Sequence, residues 1–295
     1  MSFVKNVMAA RKERTTIIEG RFLNWLETAP DTYQHEPETF QASQMYFVCP
    51  RKFLIMEREG MKKEHDARTK AKFGIGHALH HWYQDKYFGP MGILRGDWRC
   101  KRCWKKYKNC LMPTEKCKKC GSKDGYEYEE LTVRNTEWDI AGHVDGIFDI
   151  DGVQYVMDMK TIDPDMFKRL EKPYPAAVYQ VNLYMWMLNI HKGVLIYIDK
   201  SSNGVSPIKE FPVEFDPDTI SDMQSRVTSY KVAVSSKTLP PRMCKDSSAY
   251  RARGCECKEL CFDDEWCAEF LKKWNDEEIE REMESLREQR SQDAE

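Results

Sequence analysis

The residues best suited to chemistry lie in GHVDGIFDIDGVQYVMDMKT, positions 142–161. Asp145 falls on one apolar run, Asp158 and Lys160 on the next, with Asp151-Gly152 between them. Asp-Gly favours a tight hairpin turn, so the two runs should pair as antiparallel strands. Asp158 and Lys160 are two apart and point to one face of their strand. Across the hairpin, Asp145 can lie beside them. Two convergent carboxylates suit a hard divalent cation such as Mg2+ or Mn2+. Such a cation polarises a phosphodiester, lowers the pKa of a bound water and orients attack. Lys160 can position that water and offset charge developing on phosphorus. The plain alternative is an exposed hairpin with ordinary charges. The apolar VMDMK run counts against it, because charge in a half-buried strand is costly and is tolerated where it serves a site.

Cysteine carries a second kind of chemistry. Cys100-x2-Cys103 and Cys117-x2-Cys120 form two pairs separated by thirteen residues. Each pair can grip one edge of a tetrahedral Zn2+, and the loop between closes a knuckle. Cys110 sits inside it as a spare. The segment has few apolar residues, so bound metal must supply much of its stability. Cys49 and a late group, Cys244, Cys255, Cys257, Cys261 and Cys267, form the other system. Soft ligands distant in sequence fit zinc or an iron–sulfur cluster equally, or the thiols are free.

The elements that position these groups follow from apolar periodicity. Residues 40–60 have helical spacing interrupted near Pro50, and 73–88 read as a helix. Strands are expected at Tyr126–Asn135, Ile140–Ile150 and Val153–Lys160, the first two as neighbours. An apolar helix follows Pro173 and Pro175, then a buried strand over 193–199. Pro212 makes 209–215 an edge strand, and Asp216-Pro217 opens a helix running towards Ser235. Residues 1–35 read as a short helical lead-in with a loop, and the C-terminus as a polar helix. The fold class is therefore α/β, a mixed sheet flanked by helices.

Charge is unevenly placed around a net of -2. Between Arg95 and Lys123 stand eleven Lys or Arg against Asp97 and Glu115; between Asn275 and Glu295, nine acids face three Arg. The basic block, with Trp98, Trp104 and Tyr107 interleaved, suits phosphate contact and base stacking; a solvated basic face or a protein-docking module is the alternative. No apolar run approaches the ~18 residues of a membrane span. MSFVKNVMAARKERTT lacks the apolar stretch of a secretory signal. A reducing, cytoplasmic setting is expected, in which cysteines bind metal sooner than they form disulfides.

Residues 142–161 resemble the core motif of RecB-family nucleases within the PD-(D/E)XK superfamily, which implies a restriction-endonuclease-like sheet. Gln180 and Tyr184 match that family's Q-x-x-x-Y motif; spaced by four, they share a helix face. The resemblance implies that they hold the site and contact DNA. His77, in GIGHALH, matches the family's upstream metal histidine, with His80 and His81 as alternatives. It further implies that the Met159 carbonyl can ligate the metal. CPRKF at 49–53 and the late cysteines resemble the iron–sulfur version of this fold, found in AddB-type helicase–nucleases and CRISPR-associated RecB-like exonucleases. There a [4Fe–4S] cluster staples the two ends of the domain. Cys49, Cys244, Cys255 and Cys261 match best. Cys255 and Cys261 keep the family's five-residue gap, the ten residues after Cys244 are longer than usual, and Cys257 can replace Cys255.

The organisation implied is an N-terminal helical part of the nuclease domain over 1–98, a zinc-knuckle insertion over 99–124 and a nuclease core over 125–240. A cysteine cluster segment over 241–267 and a charged helical tail over 268–295 follow. The resemblance implies a DNA exonuclease acting on ends and single strands in recombination, repair or replication, of the stand-alone kind carried by phages, then in the host cytoplasm. No G-x-x-x-x-G-K-[ST] motif is present, so free ends or a helicase or recombination partner must supply substrate. A structure-selective endonuclease and a non-catalytic nucleic-acid-binding adaptor are the other readings; the intact Asp145, Asp158, Lys160 set argues against the adaptor.

Overall fold

The computed structural model describes residues 18–29, 39–61, 65–201 and 206–277. Most of the expected lead-in and the tail beyond residue 277 lie outside the described residues. In chain order the elements are α1 (Glu19–Thr28), β1 (Phe40–Gln41), a 3-10 turn (Met45–Phe47), α2 (Pro50–Arg58) and α3 (Ala67–Tyr83), which a π-helical turn (Gln84–Phe88) extends. Then come β2 (Leu94–Cys100), β3 (Lys106–Leu111), β4 (Tyr126–Glu129), β5 (Leu131–Asn135), β6 (Ile140–Val144), β7 (Gly146–Ile150) and β8 (Val153–Ile162). The rest are α4 (Pro164–Arg169), α5 (Pro175–Leu188), β9 (Lys192–Asp199), β10 (Ile208–Glu214), α6 (Pro217–Ser236), α7 (Tyr250–Arg253), α8 (Lys258–Phe262) and α9, over 264–277.

The chain divides into two compact units, Met1–Tyr46 with Lys63–Ile220, and Phe47–Lys62 with Ser221–Glu295. The first holds a mixed sheet of seven strands in the order β10-β9-β8-β7-β2-β3, with β4 also paired to β2. Within it β8 and β9 are parallel and the other pairs antiparallel. A smaller sheet has the order β1-β6-β5. Helix α5 packs on β8, β9 and β10, and α3 on β8, so helices flank the sheet. The expected mixed α/β architecture is the one observed.

Local chemistry explains the main elements. Asp151 (φ 52°) and Gly152 (φ 78°) turn the β7–β8 hairpin, the left-handed pair that an Asp-Gly turn needs. Pro212 lies on β10, at the sheet edge, where its missing N–H costs nothing. Helix α3 starts where the Asp66 carboxylate accepts the Thr69 N–H at 2.8 Å. Helix α5 starts with Pro175 and ends at Asn189 in the left-handed region.

Three expectations change. Residues 40–60 are not one interrupted helix; β1 and a 3-10 turn precede α2, because Pro50 is favoured as a first helical residue, not an interior one. The strand expected over Tyr126–Asn135 is cut at Glu130, and that over Ile140–Ile150 at Asp145. At each cut the chain passes between the two sheets: β4 and β7 belong to the large one, β5 and β6 to the small one. The cysteine-rich segment, expected as an insertion, is built onto the large sheet. Cys100 is the last residue of β2, and β2, β3 and β4 are strands of the large sheet.

The second unit is tied by its own side chains. Arg51 donates to the Pro240 carbonyl at 3.1 Å, and Arg226 to that of Val48 at 3.0 Å. Tyr230 meets the Glu57 carboxylate, and Lys52 that of Glu256. The Arg58 guanidinium lies 4.2 Å from the ring centre of Trp274. Among the described residues no helix is long and apolar enough to cross a membrane.

Candidate metal centre and active site

Asp145 sits at the break between β6 and β7, and Asp158 in the middle of β8; both are buried, Asp158 to 1 % exposure. Gly146 pairs with Met157, which brings Asp145 level with Asp158 on the adjacent strand. The Met159 N–H donates to Asp145 Oδ2 at 2.5 Å. Lys160, half-buried, points to the face of Asp158, its Nζ 3.0 Å from Asp158 Oδ1 and 2.8 Å from Oδ2. Only the Oδ1 contact has hydrogen-bond alignment, so the buried Oδ2 lacks a hydrogen-bond partner.

Helix α5 supplies the next layer. Lys160 Nζ donates to Gln180 Oε1 at 3.0 Å, and Gln180 Nε2 donates to the Tyr184 hydroxyl at 3.0 Å. An ammonium can only donate, so it sets which way the Gln180 amide faces. Tyr184 fits because its neighbour on β6 is Gly142: a Cβ there would lie 2.7 Å from Tyr184 Cε1. The four-residue spacing therefore puts Gln180 on Lys160 and Tyr184 behind Gln180.

Helix α3 closes the other side. His80 Nδ1 lies 3.4 Å from Asp145 Oδ1. Four residues on, the fully buried Gln84 donates from Nε2 to the Asp145 carbonyl at 2.8 Å. Gln84 opens the π-helical turn, a distortion that often marks functional sites. Glu130, at the other sheet-to-sheet break, completes the group: ligand atoms of His80, Glu130 and Asp145 all lie within 4.8 Å of one another. His77, one turn earlier on the helix, is not in that set; the histidine beside Asp145 is His80. Sequence reasoning missed Glu130 and Gln84. The spacing of His77, His80 and Gln84 along one helix face was the available signal for Gln84, whereas Glu130, just past the end of β4, had none.

The electrostatics follow from this crowding. Burial pushes Asp158 up to about 6, with the Asp145 charge adding to it and Lys160 opposing. Burial likewise pushes Glu130 to about 7, again helped by Asp145. For Asp145 burial is outweighed by His80, Lys160 and the Met159 amide, which hold it below the usual carboxylate range. Burial disfavours a proton on His80, but Asp145 overrides it and raises the imidazole. Burial lowers His77, and His80 and His81 add to this.

The donor set fits a divalent cation. Carboxylate oxygens with one imidazole suit Mg2+ or Mn2+, and Asp158 Oδ2, which meets the Lys160 ammonium at 2.8 Å, is a buried oxygen with a lone pair to spare.

The four knuckle cysteines also converge. Cys100 and Cys120 Sγ are 3.8 Å apart, Cys103 and Cys117 Sγ 3.6 Å, and all four lie within 4.8 Å of one another. Four thiolates at Zn–S distances of about 2.3 Å would be about 3.8 Å apart, so this group could bind a metal. The Tyr107 hydroxyl lies 3.4 Å from Cys117 Sγ and its hydrogen bond lowers that thiol to about 6. Cys110 Sγ instead faces the Tyr107 carbonyl at 3.7 Å.

In the second unit Cys49, Cys244, Cys255 and Cys261 are half-buried. They are not among the described sets that gather within 4.8 Å. Burial raises Cys244, with Cys49 and Cys261 adding, and raises Cys255, with Cys49 adding. Cys257 is fully buried, faces the Lys52 carbonyl at 3.9 Å and is pushed to about 12 by burial. Cys267 is buried beside Arg51, 3.1 Å from Nη2.

No family model matches the chain, and no curated protein matches it. Among solved structures it is similar to an alkaline exonuclease from Laribacter hongkongensis, with TM-score 0.44 and 14% identity over 68% of this chain and 90% of that one. It is also similar to SSO0001, with TM-score 0.39 and 16% identity over 73% and 87%. A phage related exonuclease from Haemophilus somnus 129PT follows, with TM-score 0.33 and 14% identity over 68% and 96%. These likenesses are distant, and the functional reading rests on the side chains.

The raised carboxyls make metal binding proton-linked. Glu130 at about 7 and Asp158 at about 6 hold protons that a cation must displace. Binding of Mn2+ should therefore release more protons near pH 6 than near pH 8, and affinity should rise across that interval. Because both groups lie above the usual ~4 of a carboxyl, the proton favours the metal-free fold at low pH. That contribution is lost as pH climbs through 6 and 7. Calorimetric titration in two buffers of different ionisation heat measures the release; identical heats near pH 6 would contradict it.

Proposed function

We propose that this chain is a metal-dependent DNA nuclease that hydrolyses phosphodiesters from strand ends, with single strands preferred. The observation that supports this best is the buried group Asp145, Asp158 and Lys160 with His80 and Glu130 beside it. A purely structural ion pair would need one carboxylate for Lys160. Here three carboxyls and an imidazole are packed where burial penalises their charge, which is the arrangement of a cation site.

His80, Glu130, Asp145 and Asp158 would hold Mg2+ or Mn2+. The Met159 carbonyl is a further ligand candidate, since it opens to the same side of β8 as the N–H that reaches Asp145. The cation supplies polarisation of the phosphate and a lowered pKa for bound water. Lys160 is held by Asp158 and Gln180 with its ammonium at the mouth of the group, where it can orient a nucleophilic water and offset negative charge on the phosphate. Gln180 and Tyr184 are positioning residues that keep Lys160 in place. Gln84 fixes the strand break that carries Asp145, and His77 lines the approach one turn away.

The Cys100, Cys103, Cys117 and Cys120 group is proposed to hold Zn2+, on the strength of its spacing. For Cys49, Cys244, Cys255 and Cys261 we propose a [4Fe–4S] cluster. Cys49 and Cys261 both act on Cys244, and Cys49 on Cys255, while the buried Cys257 is turned towards a carbonyl. Substrate ends would come from a helicase or recombination partner, in recombination, repair or replication.

End-labelled linear and circular single-stranded DNA, offered to anaerobically purified protein with Mn2+ or Mg2+, tests the reading. Linear strands should be degraded and circles spared. Asp158→Asn and Lys160→Ala should each lower cleavage by about 100-fold or more while DNA binding survives. Equal digestion of circles would mean an endonuclease, and no metal-dependent digestion of either would leave a binding protein.

The cysteine assignments have their own test. Anaerobic protein should be brown and contain both iron and zinc. Cys261→Ser should lose iron and keep zinc, and Cys120→Ser the reverse. Zinc without iron or sulfide would remove the cluster from the account.

A further inference from the structure

The knuckle presents three aromatic residues, and their placements differ. Trp98 is fully buried in the core of the large sheet. Tyr107 is half-buried and committed to Cys117. Trp104 is 59 % exposed. It follows Cys103 in the turn between β2 and β3 and has φ 63°, a conformation that bulky side chains avoid. Its N–H donates to the Cys100 carbonyl at 3.0 Å, and the Cys100 N–H to the Lys105 carbonyl at 3.0 Å. The turn is therefore fixed to the cysteine group on both sides. An indole held out in water on a strained backbone is a costly placement that packing does not explain.

One face of the indole is covered. The Arg99 guanidinium lies 4.2 Å from the Trp104 ring centre. It is pinned there by Glu127 at 2.9 Å and Glu129 at 3.1 Å. The exposed surface of Trp104 must then be its other face and edges. Across the cysteine-rich segment the basic residues divide in two. Arg99, Lys101 and Lys106 are paired to acids. Arg102, Lys105, Lys108, Lys118, Lys119 and Lys123 are exposed, and no ion pair holds them among the described residues. The surface thus combines a rigid, cation-backed π face with unpaired positive charge.

We propose that Trp104 is a stacking platform for one base of a single-stranded DNA, with the unpaired lysines beside it taking the backbone. Duplex DNA does not offer a free base face, so the partner is a single strand. The platform rests on the nuclease reading for its substrate, and it extends that reading to where the strand is held. β2 pairs with β7 at Leu94 and Arg95, opposite Phe148 and Ile147; that register carried on puts Asp97 level with Asp145, and β2 continues to Cys100. At about 3.3 Å per residue, Cys100 lies about 10 Å beyond that level, within reach of one strand that also enters the site.

Fluorescence anisotropy with a labelled oligo-dT, and with an abasic strand of equal length, tests the platform with Ca2+ present in place of a catalytic cation. Trp104→Ala should weaken binding of oligo-dT by about fivefold or more and of the abasic strand by less than about twofold. Trp104→Phe should keep most of the affinity, and Trp104→Leu, which retains folding bulk without a π face, should lose it as Ala does. Equal losses on both strands, or unchanged binding of oligo-dT by Ala and Leu variants, would overturn the platform alone. An unaltered chain that binds neither strand would overturn the nuclease reading with it.

Discussion

Two carboxylates on adjacent strands, buried in the same seam, are the constraint on which this structure turns. Left alone, Asp145 and Asp158 would repel each other in a region where water cannot screen them. The surrounding side chains answer that repulsion one at a time. Lys160 lies against Asp158 at 3.0 and 2.8 Å, His80 approaches Asp145 at 3.4 Å, and the Met159 amide binds Asp145 at 2.5 Å. These contacts hold Asp145 below its usual range, whereas burial, against the pull of Lys160, still raises Asp158 to about 6. With Glu130, three carboxyls face Lys160 and His80, and a divalent ion would offset the remaining negative charge. The proposed nuclease chemistry would use that ion.

The fold supplies the seam through a single device used twice. Strands β4–β5 and β6–β7 each break for one residue as they pass between sheets, and the residues at the breaks are Glu130 and Asp145. A regular strand would have sent successive side chains to opposite faces; the break releases the acid at that position from the alternation. Helix α5 can press Tyr184 close because Gly142 has no side chain to meet it. Lys160, Gln180 and Tyr184 then form one line of donors and acceptors from the strand into the helix.

Much of this was legible in the residues themselves. The Asp-Gly turn, the two-residue spacing of Asp158 and Lys160 and the four-residue spacing of Gln180 and Tyr184 are local signals, and local geometry obeys them. Pro212 marked the edge strand for the same reason. Glu130 was not legible, since its place depends on a strand crossing between sheets that no short pattern announces. The preference for His80 over His77 depends on how α3 is rotated against Asp145, and both residues share one helix face. The basic segment misled in a different way. Its composition suggested three stacking aromatics, whereas Trp98 is spent on the core. Charge counting also could not see that Lys106 is bound to Glu129.

The central claim is that the Asp145 seam is a divalent cation site. An anomalous difference map from a crystal soaked in Mn2+ tests it most directly. The account predicts a strong peak coordinated by Asp145 and Asp158, with His80 and Glu130 on the same ion, and its disappearance in Asp145→Asn. A crystal at saturating Mn2+ and near pH 8 with no peak there would contradict it.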